Sequence, residues 1–328
     1  MRVVVRADAG PERGTGHVMR CLTVAQALAV EGHEVVLLGE IDHVDWLSRY
    51  VKDANVEHLT CERDQLPLGL LQSIGAERLV VDSYWIEPSE ISRADAAIPT
   101  MAIIDNDARG IRATWYLDQN LGAETRDWSA AKGLVLAGSS FALVRQEVLA
   151  QRIERGWEIP GRASHVVVFM GGTDPAEMMT PVVASIAETV PNLCLTAVTT
   201  DPQIQRVRKA AAAMPHARVM GPTAGLPALL GTADVVVSAA GTSSSDVCSM
   251  GKAAVLVGVV DNQSAGLAHA LERGIATGVD ATKYGAGSVG VLLARLLDDA
   301  VMRESLVRTA NATFDGLGSR RVAAALTT

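Results

Sequence analysis

A strand, a glycine turn and the start of a helix follow one another in the stretch Thr232-Ala-Asp-Val-Val-Val-Ser-Ala-Ala-Gly-Thr-Ser-Ser-Ser-Asp246. Residues 234–237 predict a short buried strand, with three apolar, β-branched valines after Asp234, and Gly241 interrupts that pattern before a helical stretch that runs through Met250. Free backbone N–H groups and the positive end of a helix dipole meet at such a turn, so the stretch predicts a phosphate-binding site. An ordinary βα turn with a Ser/Thr cap has the same pattern, and this stretch alone favours neither interpretation.

Length and composition indicate a folded protein of two domains. The chain has 328 residues, of which 48% are hydrophobic and 20% are charged. Its net charge of −8 argues against nucleic acid or an anionic membrane as the main partner, because both select a basic face. An anionic ligand would therefore have to be held locally, by backbone dipoles and a few side chains.

The cysteines and the amino terminus indicate a cytoplasmic protein. No pair of cysteines has metal-ligand spacing, which is typical of reduced thiols. The chain begins with a strand pattern and reaches Asp8 quickly, unlike a signal peptide, and no apolar run is long enough to span a bilayer. The cysteines are Cys21, Cys61, Cys194 and Cys248.

The N-terminal half predicts an open, mostly parallel sheet covered by helices on both faces. It opens with a βαβ pattern, in which a strand at 3–5 and an amphipathic helix at 18–30 precede a strand at 34–38. Further strands are predicted at 78–81, 100–104 and 114–117.

Residues 151–164 are polar, contain Pro160 and Gly161, and predict a domain boundary. We expect an N-terminal sugar and catalytic domain at 1–155 and a C-terminal nucleotide-binding domain at 165–328, with the last helix a candidate to pack back on the first. Both domains are predicted to be Rossmann-like and doubly wound, with ligands at the carboxyl ends of the strands and a cleft between the domains. Strands of the second domain are predicted at 165–170, 193–198, 217–220, 234–237 and 254–259.

Gly14-Thr15-Gly16-His17 lies between the first strand and the first helix. The two glycines allow a tight turn that substrate can approach. His17 falls near the helix start, where the dipole disfavours the imidazolium and leaves a neutral imidazole able to act as a general base. A capping or solvent-facing histidine is the alternative. The dinucleotide-binding fingerprint is excluded, because its third glycine is missing and no acidic residue follows the second strand until Glu40.

Three polar clusters follow strands, where ligands bind in this class of fold. They could supply functional groups or be ordinary turn residues. Neither acidic cluster of the first domain has the two carboxylates beside a diphosphate that a magnesium site would use, so we expect no metal and no cofactor. The clusters are Asp82-Ser83-Tyr84, Asp105-Asn106-Asp107 and Asp261-Asn262-Gln263.

Eight short motifs run in order through most of the chain and together resemble one family, the hydrolase of pseudaminic acid biosynthesis. That enzyme cleaves UDP from UDP-2,4-diacetamido-2,4,6-trideoxy-β-L-altropyranose. The family includes sequences labelled spore-coat polysaccharide glycosyltransferases, and it is similar to the glycosyltransferase-B enzymes that build peptidoglycan lipid intermediates. The motifs are Gly14-Thr-Gly-His-Val-Met-Arg-Cys21, Val80-Val-Asp-Ser-Tyr84, Ile103-Ile-Asp-Asn106, Asp118-Gln-Asn-Leu-Gly122, Phe141-Ala-Leu-Val-Arg145, Gly171-Gly-Thr-Asp-Pro175, Ala240-Gly-Thr-Ser243 and Asp261-Asn-Gln263.

The resemblance implies a two-domain glycosyltransferase-B fold with UDP held mainly by the C-terminal domain. It implies that His17 is the catalytic histidine, with Tyr84 and Asn262 lining the sugar site. Where the family has an aromatic residue and then a glutamate that contacts the ribose, this chain has Ser245 and Asp246, and the aspartate reaches about one methylene less. The expected substrate-binding residues are Gly14, Gly16, Arg20, Asp105, Gly171, Gly172, Thr173, Gly241, Thr242, Ser243, Asp246 and Gln263.

The sequence thus predicts a metal-independent enzyme that acts on a nucleotide-activated amino or deoxy sugar. The favoured reaction is hydrolysis at the anomeric carbon with inversion, releasing a nucleoside diphosphate. An inverting glycosyltransferase with the same donor site and a non-catalytic sugar-nucleotide binder are the alternatives. We expect a nucleotide-sugar substrate as the partner, no nucleic acid, no membrane span, and a monomer or weak dimer.

Overall fold

The computed structural model describes residues 1–54, 56–152, 159 and 161–328. These residues form two compact units, Met1–Leu143 with Gly316–Thr328 and Val144–Asp315. The chain thus passes into the second unit before residues 151–164, where the sequence places the boundary. Residues 153–158 and 160 of that stretch lie outside the described residues.

The first unit contains a seven-stranded parallel sheet with the order β3-β2-β1-β4-β5-β6-β7. The strands are β1 (Arg2–Arg6), β2 (Glu34–Leu38), β3 (Glu57–Leu59), β4 (Arg78–Asp82), β5 (Thr100–Ile103), β6 (Trp115–Asp118) and β7 (Leu134–Ala137). The helices between them are α1 (Gly16–Val30), α2 (Asp45–Asp53), α3 (Leu68–Ser73) and α4 (Pro88–Asp95).

The second unit contains a six-stranded parallel sheet with the order β10-β9-β8-β11-β12-β13. The strands are β8 (His165–Phe169), β9 (Cys194–Val198), β10 (Ala217–Met220), β11 (Val235–Ala239), β12 (Ala253–Gly258) and β13 (Thr277–Asp280). The helices are α5 (Gln146–Leu149), α6 (Met179–Thr189), α7 (Ile204–Ala210), α8 (Leu226–Gly231), α9 (Thr242–Ser249), α10 (Ser264–Glu272), α11 (Ala281–Tyr284), α12 (Val289–Asp298) and α13 (Ala300–Thr313).

Alternating side chains of the first sheet enter two separate cores. Val3 and Val5 pack with residues of α1 and α2, whereas Val4 packs on the other face with residues of α3 and α4. The last helix, α14 (Gly318–Thr327), packs against α1 and belongs to the first unit. The prediction of a sheet covered on both faces is therefore confirmed.

The strand order of each sheet reverses once, and candidate site residues follow the strands on either side of that point. In the first sheet β1 lies between β2 and β4, and in the second β8 lies between β9 and β11. Chains leaving adjacent strands at such a point go to opposite faces of the sheet, which opens a ligand-binding crevice at the carboxyl ends. His17 follows β1 and Asp82 ends β4, while Gly171 follows β8 and Gly241 follows β11.

In the part of the chain that the structure describes, we find no helix with the length and apolar composition that a bilayer span requires.

Candidate functional site

In the first unit, an imidazole and a carboxylate meet at the crevice between β1 and β4. His17 is the second residue of α1, and its Nδ1 lies 2.6 Å from Oδ1 of Asp82, the last residue of β4. The tautomer that fits this contact carries its hydrogen on Nδ1, which donates to the carboxylate, and leaves the lone pair on Nε2. No described residue makes a hydrogen bond to Nε2. In this tautomer His17 can accept a proton at Nε2, and the contact with Asp82 fixes the orientation of the ring.

Arg20, one helical turn after His17, ties this pair to Asp105. Its Nε and Nη2 each donate to Asp82 at 2.8 Å, and its Nη1 donates to Asp105 at 2.9 Å. The guanidinium is almost fully buried. Burial alone would lower the pKa of Arg20, but the two carboxylates outweigh that effect and raise it well above the ordinary value. Arg20 is thus a permanent cation that holds both carboxylates in place.

Asp105 is held from two further sides. The Tyr84 hydroxyl donates to its Oδ2, and Nδ2 of Asn120 donates to its Oδ1 at 2.6 Å. Burial would raise the pKa of Asp105, but Arg20 and these hydrogen bonds hold it well below the usual range. Desolvation of the phenol and the neighbouring carboxylate raise the pKa of Tyr84, so the tyrosine remains a hydrogen-bond donor. Four of the predicted site residues, His17, Arg20, Tyr84 and Asp105, are therefore joined in one network with Asp82.

The glycines before His17 shape the chain that enters α1. Gly14 has a φ of 77°, in the left-handed region, and exchanges two backbone hydrogen bonds with Gly10. Gly16 is the first residue of α1. Neither glycine bears a side chain that could cover the imidazole.

In the second unit, the turn after β11 leaves donors open at the start of α9. Gly241 precedes the helix without a side-chain cap, and the Ser244 hydroxyl instead donates to the Gly241 carbonyl at 2.7 Å. The N–H groups of Thr242 and Ser243 make no hydrogen bond with any described residue. Two free donors at the positive end of a helix dipole, beside small side chains, suit an anionic oxygen.

Asp246, in the second turn of α9, is buried and paired with Arg145. Nε and Nη2 of Arg145 donate to Oδ2 of Asp246 at 2.9 and 2.8 Å. Burial raises the pKa of Asp246, and the guanidinium offsets this only in part. Oδ1 accepts only a long bond, 3.4 Å, from the Arg145 amide among the contacts described, which leaves it capacity for a ligand hydroxyl.

The remaining predicted residues lie in loops of the second unit. Gly171, with a φ of 86°, Gly172 and Thr173 follow β8 and are half-buried. Asn262 is exposed in the short turn Asp261–Gln263 after β12. A Cβ placed on Gly241 would lie 3.0 Å from Nε2 of Gln263, so Gln263 borders the turn that starts α9.

The predicted residues thus divide into a network around His17 in the first unit and, in the second unit, residues that follow β8, β11 and β12. Asn262, which the sequence groups with His17 and Tyr84, belongs to the second unit. Sequence reasoning missed the roles of Asp82 and Arg145 as ion-pair partners of predicted residues. The role of Asp82 could have been predicted. A doubly wound sheet reverses its strand order at β1, and this reversal places β4, which ends in Asp82, beside β1. Within the described ranges, no three His, Cys, Asp or Glu side chains cluster as metal ligands.

Comparison with known proteins bears on the fold. No protein-family model matches the chain. It is 22% identical over 352 residues to the spore coat polysaccharide biosynthesis protein SpsG of Bacillus subtilis (strain 168), covering 99% of this chain and 98% of SpsG. Its structure is similar to that of the UDP-GlcNAc 2-epimerase from Neisseria meningitidis bound to UDP-GlcNAc, with a TM-score of 0.70, 12% identity and complete coverage of both chains.

The spinosyn rhamnosyltransferase SpnG also matches, with a TM-score of 0.69 and 15% identity over 100% of this chain and 99% of SpnG. The chain has the glycosyltransferase-B fold. Doubly wound sheets bind ligands outside the carboxyl ends of their strands, and in each unit of this chain the candidate residues lie at that edge.

Proposed function

We propose that the protein is an enzyme that hydrolyses a nucleotide-activated amino or deoxy sugar and releases a nucleoside diphosphate, expected to be UDP. The hydrogen bond from His17 Nδ1 to Asp82 carries this proposal, because it leaves Nε2 as a proton acceptor in a crevice where this fold binds ligands. The similarity to SpsG, a protein of polysaccharide biosynthesis, and to enzymes named for nucleotide sugars supports a substrate of this class.

The proposed reaction is a single displacement. The oxygen of a water molecule forms a bond to the anomeric carbon, and the bond between that carbon and the diphosphate oxygen breaks, its electron pair leaving with the diphosphate. His17 Nε2 takes the proton of the water, and Asp82 stabilises the imidazolium. The N–H groups of Thr242 and Ser243 hold the diphosphate and stabilise its developing charge in place of a metal. Asp246 binds the ribose.

A glycosyltransferase is the second candidate. The observation that favours it is the similarity of fold to SpnG, a rhamnosyltransferase. A transferase would use the same donor and the same base, but a hydroxyl or amine of an acceptor would replace water.

A screen of UDP-, dTDP-, GDP- and CMP-sugars tests the proposal. Release of diphosphate and monophosphate is measured with and without candidate acceptors, in the presence of excess chelator. We expect diphosphate release from a UDP-sugar without an acceptor. Release that begins only when an acceptor is added would make the protein a transferase, and binding without release under any condition would make it a non-catalytic binder.

A further inference from the structure

Two exposed aromatic rings lie beside His17. Tyr84 and Trp85 follow β4 and are 39% and 40% exposed. The ring centroid of His17 is 4.8 Å from that of Tyr84 and 5.7 Å from that of Trp85, and each pair meets edge to face. Of the other tryptophans that the structure describes, Trp46 and Trp128 are half-buried and Trp115 is buried. Trp85 is therefore the most exposed of the described tryptophans, and it lies beside the histidine proposed to act as the base.

The turn that carries these rings is fixed from within and from one side. The Ser83 hydroxyl accepts hydrogen bonds from the amides of Trp85 and Ile86, at 3.1 and 3.2 Å. Ile86 is fully buried and anchors the far end of the turn. Arg109 donates to the carbonyl oxygens of Ser83 and Tyr84, at 2.6 and 2.9 Å. The rings are exposed on a rigid turn, so little conformational entropy is lost when a ligand packs on them.

Trp85 is also supported by a stacked cation. The guanidinium of Arg13 lies 4.1 Å from the centroid of the indole. Both Nη atoms of Arg13 donate to the carboxylate of Asp64, one of them at 2.7 Å, so the arginine is fixed and its charge is compensated. Asp64 in turn donates its amide to the buried carboxylate of Asp8. The indole is therefore held in one orientation by a chain of contacts that reaches the core, while much of its surface stays open.

An open, fixed indole next to a proton acceptor suits a ligand with one apolar face and polar edges. A pyranose ring has this character, since its C–H groups can lie against an aromatic face while its hydroxyls reach polar neighbours. The polar neighbours here are the hydroxyl of Tyr84 and the imidazole of His17. On the basis of the proposed function, we infer that Trp85 stacks on the sugar ring of the substrate and supplies affinity for the sugar. Neither the motifs of the sequence nor the relatives assign a role to this residue.

The inference is tested by the extra affinity that the sugar contributes. Calorimetric titrations with UDP-N-acetylglucosamine and with UDP are compared in the wild-type chain and in three variants. We expect Trp85→Ala to lower the affinity for the sugar nucleotide about tenfold and to leave the affinity for UDP unchanged. Trp85→Phe should retain most of the difference, because a smaller ring still stacks. Leu134→Ala is the matched control, since Leu134 is an exposed apolar residue at the amino end of β7, away from the site.

Each other outcome is decisive. An equal loss of affinity for UDP and for the sugar nucleotide would show that Trp85 supports the fold, and no loss in Trp85→Ala would show that the ring does not touch the sugar. A change in mass by light scattering in Trp85→Ala would make the rings a contact between two copies of the chain. If UDP-N-acetylglucosamine binds no more tightly than UDP, the other sugar nucleotides of the screen replace it. The inference is overturned if none of them binds more tightly than its own free nucleotide.

Binding and turnover separate this inference from the proposed function. Extra affinity for the sugar that depends on Trp85, in a protein that releases no diphosphate, would keep the stacking role and reject the hydrolase. Diphosphate release by Trp85→Ala with the rate and KM of the wild type would keep the hydrolase and reject the stacking role.

Discussion

His17 is the residue on which the proposed reaction depends, and its removal is the most direct test. We predict that His17→Ala lowers kcat by about 10²–10⁴, the usual contribution of a general base. Affinity for UDP should not change, because the proposed diphosphate donors belong to the second unit. A steady-state assay beside calorimetry with UDP measures both quantities. His43→Ala, which removes a largely exposed histidine, is the control. Equal losses of rate and UDP affinity would give His17 a nucleotide-binding or structural role instead.

Asp82 acts through His17, so its effect should appear in kcat rather than in KM. An asparagine keeps the shape of Asp82 but removes the charge that orients Nδ1 and stabilises the imidazolium. We predict that Asp82→Asn lowers kcat by on the order of 10² or more with little change in KM. The variant also weakens the pairing with Arg20, so its melting temperature is measured in parallel. A wild-type kcat in a folded Asp82→Asn variant would contradict the proposed action of Asp82 through His17.

The lowered pKa of Asp105 predicts how the stability of the protein changes in acid. Burial raises its pKa, but Arg20, Tyr84 and Asn120 lower it more, so the folded pKa lies below the unfolded value of about 3.8. The stabilisation is complete above that value and is lost as the pH falls toward the folded pKa, because only the unfolded chain takes up the proton. We predict that Asp105→Asn is less stable near neutral pH. It should also lose less unfolding free energy than the wild type between about pH 6 and about pH 3.

Denaturant unfolding at several pH values measures this dependence, with the exposed neighbour Asp107→Asn as the control. Equal acid dependence in the wild type and in Asp105→Asn would show that the pairing with Arg20 does not stabilise the folded chain.

The sequence alone could identify four candidate residues of this network but not the contacts between them. The four residues are His17, Arg20, Tyr84 and Asp105. The partner of His17 is set by which strand lies beside β1, and Asp82 is 65 residues away along the chain. Periodicity predicts that β1 and β4 are strands, whereas their adjacency depends on tertiary packing. The ion pair between Arg145 and Asp246 was missed for the same reason, since the two residues are 101 positions apart.

Helix α9 joins two proposed roles in one element, diphosphate binding at its start and ribose binding by Asp246. We predict that Asp246→Ala weakens UDP binding by about 1–3 kcal/mol, the range for a lost hydrogen bond to a charged group. It should also lower the melting temperature, because Arg145 loses its buried partner. Arg145→Ala separates the two effects, since it disturbs the same pair but leaves the carboxylate that is proposed to bind the ribose.

Calorimetry with UDP on both variants gives the comparison. Equal loss of affinity in Asp246→Ala and Arg145→Ala would mean that the ion pair, and not a ribose contact, supports binding. Normal UDP affinity with lost turnover in Asp246→Ala would make Asp246 catalytic.

Sequence patterns predicted the elements of both sheets where strands are central and apolar. The predicted strand at 34–38 coincides with β2, and the strand predicted at 217–220 coincides with β10, although β10 lies at an edge of its sheet. Three strands were missed, and each lies at an edge of its sheet, where neighbours cover less of it: β3, β7 and β13. β3 reads Glu-His-Leu and is largely exposed, and β13 contains Gly278 and ends in Asp280, so neither shows the apolar run that marks a buried strand.

For the whole molecule, the fold class was predictable because two long runs of alternating strands and helices leave few topologies for parallel sheets. The boundary between the units was harder to predict from the sequence. The polar stretch 151–164 resembles a linker, but the chain has already passed into the second unit before it. That α14 packs on α1 also depends on contacts over nearly the full length of the chain. Composition and loop chemistry say little about such contacts.

The stereochemical outcome tests the proposed chemistry of the enzyme as a whole. A retaining double displacement needs a carboxylate nucleophile at the sugar. In the first unit, the two carboxylates of the network around His17, Asp82 and Asp105, are both committed to Arg20. The group with an open acceptor is His17 Nε2, which suits activation of water for one in-line attack.

We therefore predict that hydrolysis in ¹⁸O-labelled water places the label on the anomeric carbon, with inverted configuration. NMR early in the reaction, before the anomers equilibrate, measures both. Label in the phosphate would mean attack at phosphorus and would exclude the role proposed for His17, whereas retention of configuration would require a nucleophile that this network does not supply.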